Sequence, residues 1–105
     1  MKDFIDYLTR QIEAGREESA RLEADGRQDD ADFAKVRTNI YDVCRTVTTA
    51  LKDRPGAGPA AVKARLEGFR TAWTEALDKA REHGDARNVV VGETKLEALA
   101  DALMG

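Results

Sequence analysis

Apolar residues recur along this chain at alternating intervals of three and four. Between residues 29 and 54 they fall at Phe33, Val36, Ile40, Val43, Val47 and Ala50. Such spacing places them on one side of a helix as a heptad seam. The stretch from residue 3 to 24 repeats the pattern at Ile5, Leu8, Ile12, Gly15, Ser19 and Leu22. A third stretch carries Val62, Leu66, Phe69, Trp73, Ala76 and Ala80, with Leu77 widening the stripe. A fourth keeps the spacing at Leu96, Leu99 and Leu103.

The breaks between these stretches have the residues that end and start helices. Gly26 and Gly84 suit left-handed C-caps. Pro55-Gly56-Ala57-Gly58 interrupts the chain, and Pro59 stands where a first helical residue would. Residues 89–93 have two readings. Val89-Val90-Val91 is a short extended run before a capping box at Thr94-Lys95-Leu96-Glu97. Alternatively a helix starts near Ala86 and absorbs Gly92 at a cost of ~1 kcal/mol. The helix is preferred, because a lone strand has nothing to pair with.

The expected fold is therefore all-α: an antiparallel, left-handed bundle in a single domain over residues 1–105. Three long helices span about 3–24, 29–53 and 59–83, with a shorter fourth over about 87–103. The second helix is expected at the centre. Its stripe spans roughly 120°, enough to meet two neighbours. It also holds Thr38, Thr46, Thr48 and Thr49, β-branched residues that need tertiary support to stay helical.

Composition narrows the function classes. Charged residues make up 35% and apolar residues 42%, the balance of a globular domain and not of a disordered one. The net charge of −3, with both signs interspersed, argues against nucleic acid and anionic membrane as partners. No apolar run approaches the ~20 residues a membrane helix needs, and the first residues lack a signal-peptide core. One cysteine, Cys44, forms no internal disulfide. A cytoplasmic location is expected.

Candidate chemistry is sparse. His83, the single histidine, falls in the last turn of the third helix, where a cation suits the helix dipole. Ala80 stands three residues before it, so no Glu-x-x-His metal motif is present. Cys44 lies on the apolar side of its helix without a histidine neighbour in sequence and reads as a small buried hydrophobe. No catalytic, cofactor or metal residue is assigned. Phe33, Phe69 and Trp73 lie on seams and read as core. Tyr41 falls 80–100° from the middle of its stripe, between Arg37 and Arg45, and is expected at the bundle rim.

Two functional expectations follow. The first is a non-enzymatic interaction or structural protein, binding another protein or itself as a homodimer. Its contact surface is drawn from Tyr41, Arg45, Val89, Val90 and Val91. The second is a small-molecule-binding or regulatory domain. Its pocket would lie between helices where Gly15, Ser19, Ala76 and Ala80 leave space.

Overall fold

A computed structural model describes residues 2–56 and 58–104, so the loop reading at Ala57 lies outside the described residues. Four helices account for nearly all of it: α1 (Lys2–Ala24), α2 (Gln28–Lys52), α3 (Pro59–Glu82) and α4 (Ala86–Met104). The described residues contain no strand.

The breaks act as their residues dictate. Gly26 and Gly84 adopt φ of 75° and 65°. Each closes a Schellman-type turn, with Arg27 N–H donating to Leu22 O and Asp85 N–H donating to Ala80 O. Pro59 opens α3 with its fixed φ and its missing donor in the first turn. The start of α4 is set by Asp85, whose carboxylate accepts the Asn88 N–H at 3.2 Å. Residues 89–93 are helical, and Thr94 lies inside the helix with its hydroxyl donating to Val90 O at 2.8 Å.

All four helices feed one core. Leu8 and Ile12 come from α1, Ile40 and Cys44 from α2, Val62 and Leu66 from α3, and Ala98 and Leu99 from α4. Two glycines let helices approach closely. A Cβ on Gly15 would lie 2.0 Å from Thr38 Oγ1, and one on Gly92 would lie 3.1 Å from Leu77 Cδ1. Gly92 thus sits in α4 against α3, which offsets its poor helix propensity.

Cross-helix contacts fix the directions. Glu23 meets Lys35 and Thr9 meets Arg45, so α1 and α2 run oppositely. Leu77 meets Gly92 and Trp73 meets Lys95, so α3 and α4 also run oppositely. By contrast Asp32 meets Arg87, Arg37 meets Glu97 and Tyr41 meets Asp101, so α2 and α4 run the same way. The arrangement is two hairpins joined along α2 and α4. Helix α2 touches all three others, and its meeting with α3 is the loosest of these pairs. The chain is accordingly flat, 46 × 34 × 18 Å, with a radius of gyration of 14.9 Å against ~13 Å for a compact chain of this length.

Candidate functional site

The buried side of α2 is Ala31, Ile40, Tyr41, Cys44 and Thr48. It is turned relative to the stripe read from hydrophobicity, of which only Ile40 is buried while Phe33, Val36, Val43 and Val47 stay half-exposed and Ala50 exposed. The cause is the contact with α1. Gly15 lets α1 come down on Thr38, and this draws the threonine side of α2 inward. Thr48 is fully buried because its hydroxyl donates to Cys44 O at 2.8 Å, so no polar atom is orphaned. Thr46 and Thr49 are exposed, so they owe nothing to burial.

Tyr41 is the largest consequence of this rotation. Expected at the rim, it is only 4% exposed. Its hydroxyl donates to Asp101 Oδ2 at 2.7 Å, and Tyr7 donates to the same oxygen at 2.5 Å. One carboxylate thus ties α1, α2 and α4 together. Accepting the Tyr7 and Tyr41 hydroxyls holds the Asp101 carboxyl below its usual range. Burial and the Asp101 hydrogen bond push the Tyr41 phenol well up, and the hydrogen bond to Asp101 raises Tyr7. Sequence reasoning missed Asp101. The available signal was an acid in the last turn of α4, the end where the helix dipole disfavours one.

The other expected surface residues divide. Arg45 is half-buried, bonded to Asp42 at 3.1 Å and to Thr9 at 3.3 Å. Val90 is 41% exposed, Val89 is half-buried, and Val91 lines a cleft against α3. These residues do not gather with Tyr41 into one patch.

Two solvent-facing features bear on function. On the side of α2 opposite Thr38 and Arg45, Val36, Val43 and Val47 form a half-buried apolar row, of which Val47 packs against the core from its edge. On α3, Phe69 and Trp73 are also half-buried and stack at 5.4 Å with an 11° interplanar angle. Arg65 lies over Phe69 at 5.0 Å and Lys95 over Trp73 at 5.8 Å. The second feature is a cleft of ≈ 320 Å³ between α3 and α4, with Ala76 and Ala80 on its α3 side. Of the small residues proposed to leave space, Gly15 is filled by Thr38, Ser19 borders an open cleft of ≈ 380 Å³ between α1 and α2, and these two alanines border the cleft against α4.

No protein-family model, curated protein or solved structure matches the chain.

The lone thiol is buried and the lone imidazole is exposed. Burial pushes the Cys44 thiol up to about 11, so the thiolate is scarce at neutral pH. His83 caps α3 at the surface, its Nδ1 2.7 Å from Lys79 O. Among the described residues, no group of three or more His, Cys, Asp or Glu side chains is placed to hold a metal ion. No described helix is long and apolar enough to cross a membrane.

Proposed function

We propose that this chain is a non-enzymatic interaction protein of the cytoplasm, and that it associates with a second copy of itself through the loosely closed side of α2 and α3. The observation that carries this reading is the half-exposed row Val36, Val43 and Val47 on α2. These valines stand on a heptad seam, yet none of them is buried. Phe69 and Trp73 supply aromatic surface, flanked by Arg65, of the kinds enriched where proteins meet.

Surface area favours a second copy as the occupant. A monomer of 11.6 kDa is expected to expose about 5,800 Å², and this chain exposes 6538 Å². The surplus of roughly 700 Å² is close to the ~800 Å² that each partner buries in a standard interface. An isologous pairing would cover the same row on both copies.

Sedimentation velocity at tens of micromolar tests the proposal. The expected result is a species of about twice the monomer mass, shifted to the monomer by Val43→Glu while the helical circular dichroism is kept. A clean 11.6 kDa species for the unmodified chain would overturn it.

A further inference from the structure

We infer that the cleft between the second half of α3 and the first half of α4 binds a small planar organic anion. Its volume of ≈ 320 Å³ lies at the lower end of the ~300–1,000 Å³ typical of small-molecule sites, which suits a molecule of one or two fused rings. The space exists because Ala76 and Ala80 stop at Cβ where the α3 stripe passes α4. Leu77 and Val91 give it apolar walls, and the Trp73 indole closes one end.

The polar lining sets the sign of the ligand. Lys95 and Lys79 both border the cleft, and neither forms an ion pair with another described residue. Asp85, the lining carboxylate, is already engaged: it accepts the Asn88 N–H at 3.2 Å and the Asn88 side-chain amide at 2.6 Å. The His83 ring donates through Nδ1–H to Lys79 O at 2.7 Å, leaving Nε2 free. Counting the Asp85 carboxylate against the two ammonium groups still leaves the cleft lining with surplus positive charge in a protein of net charge −3. A flat apolar body would lie along the Leu77 and Val91 walls, and its carboxylate would draw the Lys95 ammonium from its place over the Trp73 ring and reach Lys79 as well. A cationic ligand would meet repulsion from both lysines.

Trp73 is the one tryptophan of the chain, so its indole N–H gives a single resolved reporter in ¹⁵N-correlated nuclear magnetic resonance spectra. Titration with 2-naphthoate is expected to move that signal and the Ala80 and Val91 amides in a saturable way. The uncharged 2-naphthylmethanol is expected to bind more weakly. Lys95→Met, which keeps the aliphatic stem, is expected to weaken naphthoate about tenfold, the loss of one charge-assisted contact. Ala80→Phe is expected to fill the cleft and abolish the shifts. Should that variant not fold, Lys95→Met and the alcohol decide alone. Shifts that do not saturate, that centre elsewhere, or that are equal for naphthoate and the alcohol would overturn the inference. Trp73 borders both the cleft and the proposed contact face, so the titration is repeated on Val43→Glu, where saturable shifts of the Ala80 and Val91 amides are expected to persist and so separate the cleft from self-association.

Discussion

At the scale of single residues, the point at which most depends on one atom is Asp101 Oδ2. Two phenols from two helices converge on it, and each link is removable by deleting one hydroxyl. Tyr41→Phe is expected to cost about 1 kcal/mol in urea denaturation, because the ring still fills its buried site and only the hydrogen bond is lost. Tyr7→Phe is expected to cost less, since Tyr7 is half-exposed and water replaces its partner more readily. The same oxygen sets a pH dependence. Folding favours the charged form of Asp101, so its contribution is fully present above the ordinary carboxylate range near ~4. That contribution is lost as pH falls through the lowered folded value. The phenols of Tyr7 and Tyr41 are raised, so folding favours their neutral form, and their contribution is present below ~10 and lost as pH rises further. The melting-temperature gap between the unmodified chain and Asp101→Asn is therefore expected to be level near neutrality and to narrow below about pH 4. A gap that stays level into acid would show that the carboxylate charge contributes nothing.

At the scale of helices, close approach and intrinsic propensity pull in opposite directions at Gly15. Alanine there improves helix propensity by ~1 kcal/mol, yet its Cβ would sit 2.0 Å from Thr38 Oγ1. Thr38 Oγ1 is itself bonded to Ala34 O at 2.9 Å, so turning it aside also breaks a hydrogen bond. Overpacking of this kind costs ~1–3 kcal/mol, and Gly15→Ala is expected to be net destabilising. Thr38→Ala removes Oγ1 and leaves Thr38 Cβ at 3.2 Å, so in that background the cost of Gly15→Ala is expected to be much smaller. Gly68 is the contrast: nothing lies within 4 Å of its Cβ position, and Gly68→Ala is expected to stabilise by up to ~1 kcal/mol. Thermal melts of the Gly15/Thr38 double-mutant cycle check this coupling.

The same contact explains which parts of the helices were legible. Their ends were, to within a residue or two, because glycine and proline chemistry is local: Gly26, Pro59 and Gly84 act where they stand. The stripes of α1 and α3 were legible at Leu8, Ile12, Val62 and Leu66. The stripe of α2 was not, because hydrophobicity counts threonine as polar and tyrosine as a rim residue. Thr48 becomes a core residue once its hydroxyl turns back onto Cys44 O, and Tyr41 becomes one once Asp101 meets it. Asp101 is polar and gives hydrophobic spacing nothing to read. The cleft was legible in part, through Ala76 and Ala80, whereas the lysines that give it a sign are set there by which helix lies alongside.

At the scale of the whole molecule, a heptad pattern states which face is apolar and leaves open which helix covers it. Three rods of similar length predict sequential antiparallel neighbours, and α1/α2 and α3/α4 pack so; what the pattern leaves open is that α2 packs more closely along α4, which runs the same way, than along α3, with α1 and α3 on the flanks. The two hairpins are unequal. Helices α1 and α2 are held by the Gly15–Thr38 approach and by Lys35–Glu23, whereas α3 meets α2 more loosely and leaves Phe69 and Trp73 half-exposed. Local opening free energy follows local packing, so the segments with least burial open first. Amide hydrogen exchange under native conditions is expected to show α2 amides around Ile40–Cys44 as the most protected. Those of α3 around Arg70–Ala76 are expected to exchange at least about tenfold faster, although both stretches are fully helical. If a second copy covers the α3 side, raising the concentration should slow exchange in α3 and leave α1 unchanged, because only the covered face gains protection. Uniform protection along α2 and α3 at high dilution would mean that the loose seam is as stable as the tight one. The half-open valine row would then have no opening to offer.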